Sequence, residues 1–278
     1  MNPVLDTVDI ARRFGGVSRL YGQDGLQCLQ SSHVCVIGIG GVGSWTVEAL
    51  ARNAIGCITL VDLDNIAESN VNRQLHALEG AFGKAKVTAM AERIRLINPH
   101  AEVIEVEDFI TADNVIQILD QDFDGIIDCI DDAKAKVAIA AFSRQKQIPL
   151  IMTGGAGGRL DPTHIQFGDL SLVTGDRLLA KVRNALRRDH GFPKGYDGNG
   201  KISAAKRKAA SFNIPTVFSD EPVIQPVGSP DQEADASCEV NAGVTGLNCA
   251  GYGSSVCVTA PFGFAAASLL IKTLLSRT

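Results

Sequence analysis

Short apolar runs recur through the first 153 residues, and each ends at a polar or glycine-rich turn. Most are rich in β-branched residues, as are strands that are buried on both faces of a parallel sheet. We therefore predict five strands in this half of the chain, at residues 34–37, 57–62, 101–106, 125–130 and 150–153.

Segments with apolar residues at helical spacing alternate with these strands. In the helix expected after the first strand, Trp45, Ala49 and Leu50 should face the core. Strands and helices that alternate at this pace predict an α/β fold, with a Rossmann-like, doubly wound and mainly parallel sheet. The predicted helices lie at residues 23–31, 44–53, 84–98, 114–119 and 133–147.

The pattern changes after Thr153. Residues 163–167 and 216–219 have the composition of strands, and we expect them to extend the sheet in an antiparallel manner. Between them, residues 176–190 form an amphipathic helical pattern that ends at Gly191. Residues 222–240 are rich in Pro, Asp, Glu and Ser, which predicts a mobile loop.

Residues 242–271 carry no charged side chain, and this stretch is longer than a membrane span requires. Glycines and Pro261 interrupt it, so we predict a glycine-rich loop followed by a buried helix at residues 261–275. A partial role in a homodimer interface is also expected, because such an apolar patch would be unusually large on a monomer. A membrane-associated location is the disfavoured alternative.

Composition and cysteine usage exclude several classes of protein. A net charge of −5, with 21% charged and 45% hydrophobic residues, is ordinary for a soluble globular protein and argues against one that coats nucleic acid. Seven cysteines show no C-x-x-C spacing, so no zinc ribbon is expected. The first 13 residues lack the apolar core of a signal peptide, and a cytoplasmic location is predicted.

The turn after the first strand is rich in glycine and leads into a helix. Strand, glycine turn and helix together direct backbone N–H groups and the positive end of the helix to one point, which suits a phosphate group. The pattern alone fits NAD, FAD and ATP equally. The candidate binding residues in this turn are Gly38, Gly40, Gly41 and Gly43.

Polar residues after the second strand narrow the choice of ligand. Asp62 ends that strand, where a carboxylate can accept hydrogen bonds from ribose hydroxyls. Asn70, Arg73 and Gln74 follow as a group of donors, and arginine binds phosphate oxygens in a planar, bidentate way. Each of these residues alone would more often be an ordinary surface group, so the prediction depends on their occurring together.

Two further residues suit a polyphosphate. Lys86, at the start of the third helix, can neutralise phosphate charge, and Asp131, after the fourth strand, can hold Mg²⁺. The adjacent Asp132 can cap the next helix, so Asp131 is not needed as the cap. Because a dehydrogenase has no use for this array, ATP with Mg²⁺ is favoured. A dinucleotide-binding oxidoreductase or a non-catalytic module is disfavoured.

Five segments, in order, resemble the adenylation core of the ubiquitin-activating-like (E1-like) superfamily. The resemblance covers about residues 10–153 and implies that Asp64 also belongs to the nucleotide site. The chain has no zinc-binding cysteine pair of the kind that activators of carrier proteins often carry. The segments that carry the resemblance are residues 38–44, 62–64, 70–74, 83–86 and 128–131.

Within that superfamily, the chain resembles the tRNA threonylcarbamoyladenosine dehydratases over nearly its whole length. The resemblance implies ATP-dependent cyclisation of threonylcarbamoyladenosine at position 37 of tRNA, through adenylation of the threonyl carboxylate. The alternative is an adenylating activator of a small sulfur-carrier protein. The segments concerned are residues 13–22, 153–158, 161–163 and 217–221.

The resemblance also implies how the site is completed. Arg73, Lys86 and Asp131 with Mg²⁺ would stabilise charge at the phosphates. Arg13 or Arg19 would reach the triphosphate of the neighbouring subunit in a homodimer. A cysteine desulfurase and its sulfur acceptor are further candidate partners, whereas DNA is not.

One segment has a charge opposite to that of the rest of the chain. Residues 177–208 contain ten Lys or Arg and two Asp, a net charge of +8, whereas the remainder carries −13. A basic patch on an acidic protein is typical of RNA binding. Together with this charge pattern, the resemblance implies a single E1-like domain over residues 1–278, with a nucleotide-binding half (1–153) and a half for tRNA binding and dimerisation (154–278). The expected tRNA contacts are Lys181, Arg183, Arg187, Arg188, Lys206, Arg207 and Lys208.

Overall fold

A computed structural model describes residues 9–194, 210–224 and 252–277. Within these ranges, seven strands form one sheet: β1 (His33–Ile37), β2 (Cys57–Val61), β3 (Glu102–Val106), β4 (Gly125–Asp128), β5 (Leu150–Thr153), β6 (Ile165–Asp169) and β7 (Pro215–Ser219). Their order is β3-β2-β1-β4-β5-β7-β6, and of these strands only β6 and β7 pair in an antiparallel manner. The predicted fold class is confirmed, although β7 continues the parallel arrangement beside β5 and only β6 reverses direction.

Helices cover both faces of this sheet. They are α1 (Ile10–Ser31), α2 (Gly43–Arg52), α3 (Lys86–Ile97), α4 (Val115–Leu119), α5 (Ala133–Lys146), α6 (Arg177–Asp189) and α7 (Val256–Leu275). Two short 3₁₀ turns lie at Glu68–Asn70 and Pro162–His164. Each predicted helix exists, and α1 extends further towards the N-terminus than predicted, because the chain continues through a non-helical kink at Gly22.

Successive residues of β1 enter different cores, which shows why the run is apolar throughout. Val34 and Val36 pack in the cluster that contains α2, α3 and α7. Cys35 and Ile37 pack in the cluster that contains α4, α5 and α6. A strand that is covered on both faces cannot alternate with polar residues.

The face that helix α2 presents to the core differs in part from the one predicted. Leu50 is fully buried as expected, but Trp45 and Ala49 are only partly buried, and Thr46 and Val47 are buried instead. Helix α7 determines this face, because it crosses α2 so closely that a Cβ on Gly263 would lie 2.5 Å from the carbonyl oxygen of Val42. The prediction is therefore confirmed in part for Ala49, which packs against the core cluster, and is wrong for Trp45, whose indole N–H donates to the Arg73 carbonyl oxygen instead.

Helix α7 begins at Val256, before the predicted start at Pro261, because Ser255 caps it by accepting a hydrogen bond from the Cys257 N–H. Within the described residues, α7 is long and apolar enough to cross a membrane by length and composition alone, which is weak evidence for a membrane helix. In its most apolar window, 56% of residues are buried inside the protein. It is therefore the core helix that the sequence predicts.

Several predictions fall on residues outside the described ranges. The proposed mobile loop is described only at residues 222–224. The glycine-rich loop that precedes α7 is described only from residue 252 onwards.

Candidate active site

A crevice of about 600 Å³ opens at the carboxyl ends of β1, β2, β4 and β5. The order of the sheet reverses between β1 and β4, and such a switch point is where parallel sheets bind their ligands. Nine of the predicted site residues line the crevice: Gly38, Gly40, Gly41, Asp62, Asp64, Arg73, Gln74, Lys86 and Asp131.

The turn at residues 38–43, hereafter the phosphate loop, needs its glycines for different reasons. Gly38 has φ of +84°, and a Cβ there would lie 3.0 Å from the Ile130 nitrogen. A Cβ on Gly43 would lie 1.8 Å from the Gly38 carbonyl oxygen, so Gly43 serves packing and does not line the crevice. A Cβ on Gly40 would meet only Gln74, at 3.8 Å, which leaves close approach of a ligand as the reason for glycine there.

Two buried side chains, Asp62 and His76, form hydrogen bonds with the backbone of the phosphate loop at Ile39. The Asp62 carboxylate accepts hydrogen bonds from the Ile39 N–H at 2.6 Å and the Asp64 N–H at 2.9 Å. His76 Nε2 lies 2.8 Å from the Ile39 carbonyl oxygen and therefore carries the proton. Burial lowers the pKa of His76 to about 4, so the ring is neutral at pH 7.

Lys86 lies between the carboxylates of Asp62 and Asp64, which line the crevice after β2. Its Nζ lies 2.7 Å from Asp64 Oδ2 and 3.8 Å from Asp62 Oδ1. Burial raises the pKa of Asp62, while the charge of Lys86 opposes this shift. Lys86 is 5% exposed yet lines the crevice, so its charge is held at the wall where a polyphosphate would lie.

Arg73 and Gln74 reach the crevice from the turn after the Glu68–Asn70 3₁₀ helix. The Arg73 guanidinium is partly buried and donates to the Ser69 carbonyl at 2.8 Å, and burial lowers its pKa while the charge of Asp131 opposes the shift. Gln74 is buried, and its Oε1 has no hydrogen-bond partner among the described residues. An unpaired buried amide oxygen that lines a crevice is available to a ligand.

Asn70 does not line the crevice, although the sequence placed it among the nucleotide contacts. Its Oδ1 accepts a hydrogen bond from the Ala67 N–H at 3.0 Å, and its carbonyl oxygen accepts from the N–H groups of Arg73 and Gln74. The side chain is used by the turn itself, because the residue before the 3₁₀ helix, Ala67, has no side chain that could cap it. Asn70 thus positions Arg73 and Gln74 and makes no direct contact with the crevice.

Asp131 lies on the turn between β4 and α5 and lines the crevice. Asp132 accepts a hydrogen bond from the Ala135 N–H at 2.7 Å, which confirms the predicted cap. A fully buried ion pair that the sequence did not reveal, Lys136 to Asp128 at 2.9 Å, lies beneath this turn. Asp128 also accepts from the Ile130 N–H, so the pair holds the backbone that carries Asp131.

Several lining residues were missed by the sequence analysis. Lys134 adds a cation in the first turn of α5, two residues after Asp132, and that position was a usable signal. The others come from connecting segments. Those after β5 belong to residues 153–158, which carry the family resemblance but were not assigned to the site, whereas the rest have no local signature and only the folded chain brings them to the crevice. These other lining residues are Asp108, Phe109, Ile110, Thr111 and Ala112 after β3, Gly154, Ala156 and Gly157 after β5, and Tyr252, Ser254 and Thr259 near the start of α7.

The two N-terminal arginines do not line the crevice of their own chain. Arg13 donates to the carbonyl oxygen of Ile97 at 2.8 Å, at the end of α3. Arg19 is exposed on α1. Within one subunit, neither belongs to the site that the described residues form.

The predicted tRNA-binding residues on α6 fall into two groups. Lys181 and Arg188 are exposed. Arg183 and Arg187 are partly buried and donate to the backbone carbonyls of Val173 and Ser171, so they also fasten α6 to the preceding loop. Lys206, Arg207 and Lys208 lie outside the described residues.

A second cavity, of about 590 Å³, lies beside the amino end of β5. Phe192 and Phe212 line it, and its described lining residues include a single cation, Arg144, and no acidic residue. Catalysis of phosphate chemistry requires convergent charged groups, so the crevice at the carboxyl ends of the strands is the candidate active site.

The sequence of the chain is similar to those of proteins of known function. Residues 14–277 match the ThiF family. The tRNA threonylcarbamoyladenosine dehydratases of Haemophilus influenzae and Escherichia coli are 45% and 44% identical to the chain, over 96% of it and 94% of each relative. The molybdopterin-synthase adenylyltransferase of Escherichia coli is more distant, at 28% identity over 52% of the chain.

The fold of the chain also matches a solved structure over nearly its whole length. The crystal structure of the Escherichia coli tRNA N6-threonylcarbamoyladenosine dehydratase, TcdA, in complex with ATP matches with a TM-score of 0.81 and 41% identity, over 96% of this chain and 95% of that one. The complex of the same enzyme with AMP matches equally well. The chain therefore belongs to the ThiF family, within the group of the tRNA threonylcarbamoyladenosine dehydratases.

Proposed function

We propose that this protein catalyses the ATP-dependent dehydration of N6-threonylcarbamoyladenosine at position 37 of tRNA, which yields the cyclic form. The observation that carries the proposal is the crevice at the β1–β4 switch point, where the phosphate loop, Arg73, Lys86 and Asp131 converge. The ATP and AMP complexes of a relative of nearly equal length support the choice of nucleotide.

The chemistry proceeds in two steps. A threonyl carboxylate oxygen bonds to the α-phosphorus of ATP, and pyrophosphate leaves. A carbamoyl atom of the same group then attacks the activated carbonyl carbon, the carbamoyl group loses one N–H proton to solvent, and AMP leaves with the oxygen that the substrate loses. Because the second nucleophile is tethered to the electrophile, proximity makes a separate nucleophilic residue unnecessary.

The protein's part is binding and charge stabilisation. The phosphate loop directs backbone N–H groups at the triphosphate, while Arg73 and Lys86 compensate the charge that develops on the leaving pyrophosphate. Arg73 packs against this loop, since a Cβ on Gly41 would lie 3.3 Å from Arg73 Cγ.

Asp131 fits a Mg²⁺ ion that is bound mainly by the nucleotide. Among the described residues, no group of three His, Cys, Asp or Glu side chains could hold a metal by itself. Mg²⁺ is often held by one or two carboxylates together with substrate phosphates and water, so a single carboxylate in the crevice suffices. When bound, the ion would neutralise part of the triphosphate charge.

Mass spectrometry of tRNA nucleosides tests the proposal. Incubation of the protein with ATP and tRNA that carries threonylcarbamoyladenosine should yield a nucleoside lighter by one water, with release of AMP and pyrophosphate. Unmodified tRNA should give neither product. Pyrophosphate exchange that depends on a small sulfur-carrier protein and ignores tRNA would instead support the alternative activity.

We also propose that the basic residues 177–208 contact tRNA phosphates. Replacing Lys206, Arg207 and Lys208 together with alanine should weaken tRNA binding evenly across sequences and reduce the salt dependence by roughly 0.7–0.9 log units for each phosphate that is no longer neutralised. The double variant Lys181→Ala/Arg188→Ala should also weaken tRNA binding and reduce its salt dependence. Binding assays across a salt series measure both quantities.

The matched control for the α6 variant is Lys84→Ala/Arg95→Ala, which removes two cations outside the basic segment. These pair with Glu92 and Glu105, as Arg188 pairs with Asp189. ATP affinity should not change in any of these variants. An unaltered tRNA affinity and salt slope in both basic-segment variants would refute the proposed interaction.

A homodimer is proposed to complete the site. Arg13 and Arg19 lie outside the crevice of their own chain, so either could reach a triphosphate only in a second copy. Exposed apolar side chains on α1 and α7 support an interface, among them Leu20 and Phe264, which are 72% and 46% exposed. Sedimentation at micromolar concentration should show a dimer; a monomer with full activity would contradict the idea.

We propose a cytoplasmic location, because tRNA is the substrate and α7 is largely accounted for as a core helix. A cysteine desulfurase and its sulfur acceptor stay predicted partners. Turnover by the purified protein alone would show that they are dispensable.

A further inference from the structure

The segment after β5, residues 154–158, forms one wall of the crevice and is hereafter called the glycine loop. Gly154, Ala156 and Gly157 line the crevice, and none of them carries a polar side chain. The loop depends on groups from outside itself for its position. Backbone hydrogen bonds hold its two ends, from the Gly154 N–H to the Val217 carbonyl and from the Gly158 N–H to the Gly253 carbonyl, and one buried ion pair holds its middle.

Asp176 and Arg159 form that pair beneath the loop. They are 5% and 3% exposed, and Arg159 Nη2 lies 3.9 Å from Asp176 Oδ2. Both side chains form hydrogen bonds with the backbone of the same loop residue, Gly155. Asp176 accepts a hydrogen bond from the Gly155 N–H at 2.8 Å, and Arg159 Nε donates to the Gly155 carbonyl oxygen at 3.0 Å.

Asp176 also belongs to the basic helix. Its other carboxylate oxygen accepts from the Leu179 N–H at 2.9 Å and so caps α6, the helix with the exposed Lys181 and Arg188. One carboxylate therefore joins the start of α6 to the crevice wall. The fit is close, because a Cβ on Gly154 would lie 2.3 Å from Asp176 Oδ2.

Arg159 extends the connection towards the edge of the sheet. Its guanidinium donates to the Glu221 carbonyl oxygen, and the Glu221 carboxylate accepts from the N–H groups of Leu160 and Asp161 at 3.0–3.1 Å. Burial lowers the pKa of Arg159, while the charges of Asp176 and Glu221 oppose this shift. A desolvated pair of this kind is costly and adds little net stability. A positional role explains its presence better.

The order of the sheet shows what the glycine loop faces. Along the carboxyl edge lie Asp62 after β2, the phosphate loop after β1, Asp131 after β4 and the glycine loop after β5. Neighbouring strands are about 4.8 Å apart, so Asp62 and the glycine loop are separated by roughly 14 Å. With the nucleotide held on the β2, β1 and β4 side, the uncharged wall is left for the group that is adenylated.

We propose that the Asp176–Arg159 pair is a positioning unit that fixes the glycine loop against the threonylcarbamoyl group and ties it to the tRNA-binding helix α6. This inference rests on the proposed function. The pair touches no reacting atom and acts through the backbone of Gly155. A misplacement of about 1 Å at such a wall costs about 10²-fold in rate.

The conservative variant Asp176→Asn tests the proposal. Its amide keeps the size of the side chain and one acceptor oxygen for the α6 cap, but it presents an NH₂ group where Gly155 needs an acceptor. We expect kcat on modified tRNA to fall by about 10²-fold, whereas ATP and tRNA affinities change by less than about threefold. Backbone amides 154–158 should exchange hydrogen faster than in the wild type.

Two further variants keep the test decisive. Asp124→Asn is the matched control, because Asp124 accepts a hydrogen bond from the His33 N–H at 2.8 Å at the amino edge of the sheet, opposite the crevice. It should leave kcat and exchange in the glycine loop unchanged. Arg159→Lys retains the charge, but a lysine cannot contact Gly155, Glu221 and Asp176 at the same time as the guanidinium does. It should reproduce the Asp176→Asn phenotype.

The outcomes separate this inference from the proposed function. If the wild type gives no cyclic nucleoside, the proposed function fails, and the exchange of amides 154–158 still reports on the pair. Unchanged kcat and exchange in both variants would overturn the positioning role. Loss of ATP affinity together with turnover would also overturn it, because the pair would then serve general folding.

Discussion

We expect Arg73→Ala and Asp131→Asn each to lower turnover on modified tRNA by about 10²–10³-fold, the usual loss for one preorganised charge-stabilising group. Both residues line the crevice, and the charge of Asp131 opposes the lowering of the Arg73 pKa by burial. Neither side chain belongs to an apolar core, so the fold should persist. Steady-state kinetics together with thermal unfolding measure both effects.

The controls remove like charges elsewhere. Lys84→Ala removes a cation paired with Glu92, and Asp120→Asn removes an anion paired with Lys146; both pairs are exposed and lie outside the crevice. These variants should keep turnover within about twofold, since exposed ion pairs contribute little. Near-wild-type activity in folded Arg73→Ala or Asp131→Asn protein would mean that the assigned phosphate geometry is wrong.

Gly43→Ala is expected to have the other large effect, loss of ATP binding together with loss of stability in the absence of nucleotide. The added Cβ would lie 1.8 Å from the Gly38 carbonyl oxygen, and real Cβ atoms do not come so close to backbone. The strand and helix must separate, and overpacking of this kind typically costs about 1–3 kcal/mol or more. Calorimetric titration with ATP and unfolding of the free protein measure the two effects.

Gly40→Ala is the matched comparison within the same loop. Its Cβ would meet only the Gln74 amide, at 3.8 Å, an ordinary contact. Stability of the free protein should be retained while ATP affinity falls, because the methyl group occupies space that a phosphate would need. Equal stability losses in both variants would show that the two glycines do not divide their roles in this way.

The sequence by itself determined the sheet and the place of the crevice. Residues that directly follow parallel strands lie at the carboxyl edge, so the positions of Asp62 and Asp131, together with the other polar residues of the pattern, predicted that they lie at one crevice. The glycine pattern and the Asp132 cap were equally local, since each depends on the conformation of a few neighbouring residues. Such features can be predicted from the sequence without knowledge of contacts between distant residues.

Only the tertiary structure decided the groups whose partners are distant in sequence. Asn70 is indistinguishable from a ligand contact until its oxygen is seen to hold the Ala67 N–H. The buried face of α2 depended on where α7 crosses it, and Arg183 proved to be fastened to Val173. The Asp176–Arg159 pair is the extreme case, because its position under the glycine loop is set by packing that no local pattern of residues encodes.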